Sequence, residues 1–272
     1  MKKNRGYRVM PFSRSRRMTA AGLEVASKRH TMHGLTEVDI TEPRRLIHEH
    51  HERTGESLSL TAYVIACLAR AVAEHPRLNS MRKGRKLIVL DDVTVVTMVE
   101  RNPEGERVVE FLGIRAADKK TYRQIHDEIR NAQRKSGEPR GAVSGARWVR
   151  YIPSFLFRRF VRAMTRNVRW AKRYGVVSVS NVGMFGDGPG WGVSPTTETV
   201  AVTVGGIARR PVMVEGHPEA REHLCLTISF DHDIVDGAPA ARFTSRFLEL
   251  LANGDALRDA VASGEDDKDE GA

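Results

Sequence analysis

The sequence of 272 residues lacks any run of about 18 apolar residues, the length that a membrane-spanning helix needs. Its N-terminus is charged and has no apolar stretch of the kind found in a secretory signal. Cysteine is scarce, and no metal-ligand spacing surrounds Cys67 or Cys225. Two thiols among apolar residues indicate a reducing compartment, so we expect a cytoplasmic protein without disulfides.

One long stretch of the chain lacks acidic residues: none occurs between Glu138 and Asp187. Eight arginines fall between Arg147 and Arg173, and seven aromatic residues stand among or beside them. The formal net charge is +10, although an acidic tail at residues 264–270 offsets part of the positive charge. Such a field attracts polyanions, which include nucleic acid, anionic lipid and phosphorylated cofactors, and charge alone does not choose among them.

The spacing of apolar residues divides the chain into a basic arm (1–17), one folded domain (18–255) and an acidic tail (256–272) that we expect to be disordered. Apolar residues three and four positions apart predict helices, and alternating or compact apolar runs predict strands. The fold class expected is α/β, a mixed β-sheet packed with helices. Helices are predicted at 18–27, 42–53, 59–74, 121–135 and after Gly237, and strands at 34–40, 86–90, 93–99, 108–114, 176–180, 199–205 and 224–230.

One titratable residue stands where a strand is expected to end. The predicted strand 224–230 leads into Asp231 and His232, and the chain then turns at Asp236 and Gly237 into a helix. A histidine with a pKa near ~6.5 can accept a proton from a thiol. Asp236 could hold the turn or the histidine, and Gly237 would permit a backbone shape that other residues resist. Polar turns without a catalytic role show the same spacing, so spacing alone leaves both interpretations open.

A second predicted strand ends in a serine, Ser180, followed by Asn181 and Gly183. The hydroxyl of such a serine could donate a hydrogen bond to a developing oxyanion, or it could simply cap the turn. The glycines that follow lack the Gly-Lys-Ser/Thr ending of a phosphate loop and do not open a helix.

Taken together, these motifs resemble a known family. His232-x-x-x-Asp236-Gly237, preceded by Ser229-Phe230-Asp231, resembles the catalytic signature of the acyltransferase component of 2-oxoacid dehydrogenase complexes. The segment 180–186 resembles the serine motif of that family, whose fold chloramphenicol acetyltransferase shares. The similarity spans about residues 10–252, with further family-like segments in order at 37–41, 75–79 and 91–93.

The resemblance implies a coenzyme A-dependent acyltransferase of the dihydrolipoamide acyltransferase type, with a chloramphenicol acetyltransferase-like fold. His232 would be the general base that takes the proton from the thiol of coenzyme A or of a dihydrolipoyl group. Ser180 would stabilise the tetrahedral oxyanion. Coenzyme A would be a substrate, and neither a metal nor a lipoyl group bound to this chain is expected.

Other site residues follow from the same resemblance. Asp236 would organise the active-site loop through an arginine of the segment 14–17. Gly237, Asn181 and Gly183 would be structural at the site. The family forms trimers with active sites between subunits, so we expect a homotrimer in which Ser180 reaches the histidine of a neighbouring subunit.

The chain also departs from the family pattern. No room for a lipoyl or subunit-binding domain precedes the similarity, so the acceptor would be a lipoyl domain on another chain or a different thiol, amine or hydroxyl. The segment 98–105 stands where the family has an apolar strand, which changes the expected substrate channel. Asp233 replaces a usually basic residue, and the basic-aromatic insertion (145–174) is longer than the usual link.

The basic-aromatic insertion allows several interpretations. It could form an amphipathic helical pair at a subunit contact, a helix on an anionic membrane surface, or a cationic wall for the phosphates of coenzyme A. Nucleic-acid binding is disfavoured because no base-reading motif accompanies the cations. The rival function is therefore a non-catalytic scaffold that binds a partner or a membrane through this stretch. The histidines at 30, 33, 48, 50 and 51 are expected to be solvated rather than to bind a metal.

Overall fold

The computed structural model describes residues 7–101, 108–134, 153–183, 186 and 188–261. The helices are α1 (Arg14–Ala26), α2 (Thr41–Thr54), α3 (Leu60–Ala73), α4 (Tyr122–Arg134), α5 (Ser154–Met164), α6 (Val168–Tyr174) and α7 (Gly237–Asn253). The strands are β1 (Thr31–Asp39), β2 (Ser80–Lys83), β3 (Lys86–Val89), β4 (Val95–Arg101), β5 (Val108–Ile114), β6 (Val177–Asn181), β7 (Val200–Val214) and β8 (His217–Asp231). Within the part that the structure describes, no helix is long and apolar enough to cross a membrane.

Six strands form one mixed sheet in the order β1-β8-β7-β6-β4-β5. The central neighbours β4–β6 and β6–β7 are parallel, and the remaining pairs of this sheet are antiparallel. The strands β2 and β3 form a separate antiparallel hairpin. A sheet with both kinds of pairing, combined with helices, agrees with the α/β class expected from the sequence.

The core lies between this sheet and a helical layer whose centre is α3. Ser59, at the predicted start of this helix, caps α3, because its side chain accepts a hydrogen bond from the backbone N–H of Ala62. The hydroxyl of the fully buried Tyr63 donates to the backbone oxygen of Leu251, at 2.8 Å, and so connects α3 to α7. Phe243 and Phe247 of α7 are fully buried in the same core. Burying a large aromatic side chain stabilises the fold by about 1.5–3 kcal/mol, so these two residues hold α7 against the core.

The hairpin β7–β8 is much longer than the two short strands predicted there. Each strand has 15 residues, and the connection turns at Glu215 and Gly216, both with positive φ. The outer half of the hairpin, 209–222, is largely exposed, so it lacks the one-sided apolar alternation that identifies a strand in a sequence. A β-bulge lies between Val204 and Ile207, at the pair Gly205-Gly206.

The ends of the domain differ from the predicted division. The helix α1 begins at Arg14, capped by Ser13, so the last residues of the predicted arm are helical. Residues 256–261 of the predicted disordered tail are also helical, and the prediction is wrong for them. Leu257 is fully buried and Ala260 is nearly so, which explains why this segment folds onto the core. Residues 262–272 lie outside the described residues.

The basic-aromatic insertion contains two helices, α5 and α6, as expected for an amphipathic pair; residues 145–152 lie outside the described residues. Phe157 and Val161 of α5 pack against Ala21 of α1 in a small hydrophobic cluster of their own. Arg158 of α5 forms an ion pair with Glu24 of α1 at 2.7 Å. Helix α5 is therefore held by α1, whereas α6 joins the main core through the buried Ala171.

The turn between α6 and β6 depends on a glycine. Gly175 has a φ of 79° and a ψ of 176°, and a Cβ built there would lie 1.9 Å from the backbone oxygen of Thr94. We expect Gly175→Ala to lower the free energy of unfolding by at least about 1–3 kcal/mol, because this backbone region is essentially restricted to glycine. Urea denaturation measures the effect. Gly22→Ala in α1, where a Cβ meets open space, should instead stabilise by about 0.5–1 kcal/mol.

Candidate active site

His232 lies directly after β8, at the start of the turn into α7. Its backbone N–H donates to the backbone oxygen of His30 at 2.7 Å, and half of its side chain is exposed. Its Nδ1 lies 3.7 Å from Oδ1 of Asp236, which is longer than a hydrogen bond. The side chain of Asp236 is 87% exposed and does not cap α7. The imidazole can therefore meet a substrate, and within one subunit Asp236 is not bonded to it.

The residue before the histidine anchors the loop. The carboxylate of Asp231 is 1% exposed and pairs with the guanidinium of Arg29. Its Oδ1 also accepts a hydrogen bond from the backbone N–H of Asp233 at 3.1 Å, and its own N–H donates to the backbone oxygen of Thr199. A buried carboxylate is stable only when it is paired and hydrogen-bonded, so these contacts fix the backbone on both sides of His232.

Asp233, on the other side of the histidine, is also paired with cationic partners. Its carboxylate accepts from Nδ1 of His30 at 2.9 Å and from Nη1 of Arg82 at 2.6 Å. The hydrogen bond from His30, and then that from Arg82, hold the pKa of Asp233 below its ordinary value. His30 is thus part of the loop's anchoring. Asp233 therefore stays ionised beside His232 and keeps its partners in place.

Ser180 lies in β6, half-buried, on the strand that joins the two parallel pairs of the sheet. Within the described residues of one subunit, its hydroxyl has no hydrogen-bond partner. The neighbouring Asn181 is fixed, because its Nδ2 donates to Oγ1 of Thr61 at 2.9 Å. The serine is thus carried on a rigid element with its hydroxyl available.

Gly183 has a steric function in the serine motif. A Cβ at this position would lie 1.8 Å from the backbone oxygen of Gly205. The glycine-rich segment crosses β7 at the bulge, where Gly206 donates to the backbone oxygen of Gly190 at 3.0 Å. Only glycines allow two backbones to approach so closely. Gly205 and Gly206 are site-shaping residues that the sequence reasoning missed.

The sheet register does not bring Ser180 and His232 together in one subunit. Ser180 stands opposite Thr203, and Thr203 stands opposite Thr227, so the serine is two strands away from β8. His232 comes five residues after Thr227, which corresponds to roughly 17 Å along the strand and about 10 Å across it. One subunit therefore presents the histidine and the serine at different places.

Some expectations for individual residues are wrong. Gly237 has no positive φ, and a Cβ there would meet none of the described atoms within 4 Å, so it does not supply an unusual backbone shape. His50 is buried rather than solvated, with its Nε2 3.2 Å from a carboxylate oxygen of Glu56.

Both cysteines are buried and free, as predicted. No group of three potential metal ligands occurs among the described residues.

The altered channel segment is only partly described. The strand β4 continues to Arg101, and residues 102–105 lie outside the described residues. Met98 pairs in register with Phe111 of β5, and both side chains are substantially exposed. They lie on the face of the sheet that points away from the helical layer, since the alternate residues Val95 and Val99 are buried.

Arg29 and Arg82 were not identified from the sequence. Their partners Asp231 and Asp233 are about 150–200 positions away in the chain, so no local spacing connects them. The conspicuous charge in the sequence was the insertion, and these two arginines stand outside it.

The chain matches the family model described as 2-oxoacid dehydrogenases acyltransferase (catalytic domain), over residues 4–141 and 172–258. These ranges cover most of the sequence, and the chain therefore belongs to this family. The unmatched residues between them, 142–171, nearly coincide with the basic-aromatic insertion.

A curated relative is the lipoamide acyltransferase component of the branched-chain α-keto acid dehydrogenase complex of Bacillus subtilis. It is 25% identical over 253 residues, which are 90% of this chain and 52% of that protein. The chain thus spans about half the length of the curated relatives it matches.

Two solved structures show the fold. The cubic core of the pyruvate dehydrogenase multienzyme complex has a TM-score of 0.67 at 21% identity, covering 94% of this chain and 96% of that one. A dihydrolipoamide acetyltransferase of Azotobacter vinelandii has a TM-score of 0.66 at 22% identity, covering 92% and 93%. That enzyme was investigated for the catalytic roles of a serine, a histidine and an asparagine. At this identity the likeness shows the fold alone, and it confirms the mixed α/β class.

The anchoring of the histidine loop can be tested at Asp231. In Asp231→Asn the amide can still accept from Asp233, but Arg29 loses its counter-charge. We expect a loss of about 1–3 kcal/mol in the free energy of unfolding, since a hydrogen-bonded charge becomes unpaired. Chemical denaturation measures this loss. Glu24→Gln, which breaks the exposed pair with Arg158, is the control and should cost at most about 1 kcal/mol. Equal losses in both variants would contradict the anchoring role of Asp231.

Proposed function

We propose that this chain is the catalytic domain of a coenzyme A-dependent acyltransferase that moves an acyl group between coenzyme A and another thiol. The observation that carries the proposal is the half-exposed His232, held by its backbone between the anchored residues Asp231 and Asp233 in a member of this family. Preorganised placement of a catalytic group lowers the barrier before any chemistry occurs.

The chemistry requires one base and one oxyanion donor. His232 takes the proton of the attacking thiol, and the thiolate attacks the carbonyl carbon of the acyl thioester. The Ser180 hydroxyl donates a hydrogen bond to the oxyanion of the tetrahedral intermediate. The carbon–sulfur bond to the original carrier then breaks, and the departing thiolate takes the proton back from His232.

Residue spacing supports these roles. In the Azotobacter vinelandii enzyme the investigated serine precedes the histidine by 52 residues, and the asparagine follows the histidine by four. Ser180 precedes His232 by the same 52 residues, and Asp236 follows it by four. An aspartate at the asparagine position leaves an acceptor beside the imidazole, and its exposure leaves it available to a group from a second subunit.

Ser180 and His232 are far apart within one subunit. We therefore propose that two copies complete each site and that the assembly is a homotrimer. A second copy would also cover the apolar side chains on the sheet face away from the helices. Leu35, Met98 and Phe111 are 55%, 44% and 60% exposed on that face. A contact that uses two different patches of each subunit closes into a ring of three when each contact rotates the next subunit by about 120°.

The acceptor we propose is a dihydrolipoyl group, delivered by a lipoyl domain on another chain. The names of the curated relatives support this choice, since they are lipoamide acyltransferase and dihydrolipoyllysine-residue transferase components. The expected cytoplasmic location remains part of the proposal, and the two buried free thiols are compatible with it.

Mixed assemblies test both the chemistry and the shared site. We expect His232→Ala to lower the rate of acyl exchange between acetyl-CoA and dihydrolipoamide by about 10²–10⁴-fold, because the base is lost. Ser180→Ala should lower it by about 10²–10³-fold, because the oxyanion loses a donor. Steady-state kinetics measure both rates.

Co-expression of the two variants in one cell should then restore part of the activity. A hybrid contact can pair an intact His232 from the Ser180→Ala subunit with an intact Ser180 from the His232→Ala subunit. If co-purified hybrids are no more active than either variant alone, the site is not shared between subunits. An inert wild-type protein over a panel of acyl-CoAs would contradict acyl transfer itself.

A second candidate function is contact with an anionic membrane surface through α5, as in the scaffold interpretation. Phe155 is 61% exposed and Leu156 is 46% exposed, next to the exposed cations of the same helix. Apolar side chains flanked by arginine suit the interface of an anionic bilayer.

Liposome co-sedimentation tests this candidate. We expect wild-type protein to sediment with phosphatidylserine-containing vesicles, and Arg158→Gln/Arg159→Gln/Arg162→Gln to lose most of this retention because the electrostatic attraction falls. Pure phosphatidylcholine vesicles are the control and should retain neither protein. Equal retention of wild type and variant would contradict a membrane role for α5.

A further inference from the structure

A cavity of about 380 Å³ lies between the β2–β3 hairpin and the corner that joins α5 to α6. Its walls come from two separate parts of the chain, since one lining residue belongs to the hairpin and the others to the insertion. The lining residues are Lys83, Ala163, Arg166, Asn167, Val168 and Arg169.

Three of these residues are cations. Within the described part of the chain, the side chains of Lys83, Arg166 and Arg169 form no ion pair and no hydrogen bond. By contrast, Arg82 of the same hairpin pairs with Asp233, and Arg158 of α5 pairs with Glu24. Like charges that converge on one cavity repel one another, and a bound anion relieves this repulsion.

The β2–β3 hairpin contacts the histidine loop and also lines the cavity. Lys83 directly follows Arg82, whose guanidinium is 2.6 Å from the carboxylate of Asp233, the residue after His232. A ligand with its anionic part in the cavity could therefore extend a flexible arm toward the imidazole. Coenzyme A has this form, because its nucleotide carries the phosphates and a long pantetheine arm carries the thiol.

We propose that this cavity binds the phosphate groups of the coenzyme A nucleotide; the inference rests on the proposed acyltransferase function. Guanidinium groups bind phosphate through paired N–H donors, and lysine adds a point charge. Arg166 and Arg169 belong to the stretch 142–171 that the family model does not match, so they form a binding wall supplied by the insertion of this chain.

Equilibrium binding tests the cavity without any turnover. The probe is adenosine 3′,5′-bisphosphate, titrated calorimetrically into the full chain carrying His232→Ala. Adding Arg166→Gln/Arg169→Gln should weaken binding by about tenfold or more, because two charge-assisted contacts are lost. Lys83→Gln, from the other wall, should weaken it by about three- to tenfold, and this exposed single substitution guards against misfolding of the double variant.

The control keeps the same change in net charge. Lys172→Gln/Arg173→Gln removes two exposed cations of α6 that do not line the cavity, and it should change affinity by less than about twofold to threefold. Equal weakening in both double variants would show that only the general positive field acts, which overturns the proposal. Inorganic pyrophosphate is titrated in parallel, and binding as tight as that of the bisphosphate nucleotide would overturn the assignment to coenzyme A.

Kinetics then separate the phosphates from the reacting end. On the background with an intact His232, Arg166→Gln/Arg169→Gln should raise KM for acetyl-CoA about tenfold or more while kcat and the KM for acetyl-pantetheine stay unchanged. A similar rise in KM for both substrates would overturn the proposal. If the nucleotide binds through the cavity and acyl exchange is absent, the cavity proposal holds and the proposed function fails. If acyl exchange occurs and the cavity variants bind the nucleotide normally, the proposed function holds and the cavity proposal fails.

Discussion

The ion pair between Arg29 and the buried carboxylate of Asp231 is the contact on which the candidate active site depends. Asp231 ends the strand β8, and its carboxylate also receives the N–H of Asp233, so the three residues 231–233 share one anchored backbone. A carboxylate this deeply buried is tolerated only with its partners in place. The same ion pair connects the segment after α1 to the loop before α7. The position of His232 therefore depends on how both segments pack.

The second constraint is the register of the sheet. A strand advances by about 3.4 Å per residue, so the pairing of β6 with β7 and of β7 with β8 sets the separation of Ser180 and His232. No side-chain rotation can close a gap of that size. A site that needs both residues therefore requires a second subunit. The exposed apolar side chains on one face of the sheet are a surface that such a subunit could bury.

The insertion adds positive charge to a chain whose formal net charge is already +10. Its helix α5 is attached to α1 by a small hydrophobic cluster and its helix α6 to the main core by Ala171. The corner between these helices places Arg166 and Arg169 opposite Lys83 of the β2–β3 hairpin. Charge that is left unpaired at a cavity is available for a ligand, whereas charge paired with a carboxylate mainly positions the backbone. This difference separates Arg166 and Arg169 from Arg29 and Arg82, although the sequence presents all four as ordinary arginines.

Patterns that are local in the chain were determined by the sequence by itself. The apolar stripe of α3 and the placement of His232 after a strand both follow from residues within a few positions of each other. The exposed half of the β7–β8 hairpin could not be predicted, because an element without a buried face has no apolar periodicity. The tertiary structure alone decided that Arg29 meets Asp231, that Gly205 leaves room for Gly183 and that Ser180 is remote from His232 within a subunit. These are contacts between segments far apart in sequence, and their distances are set by strand register and burial, which no local spacing records.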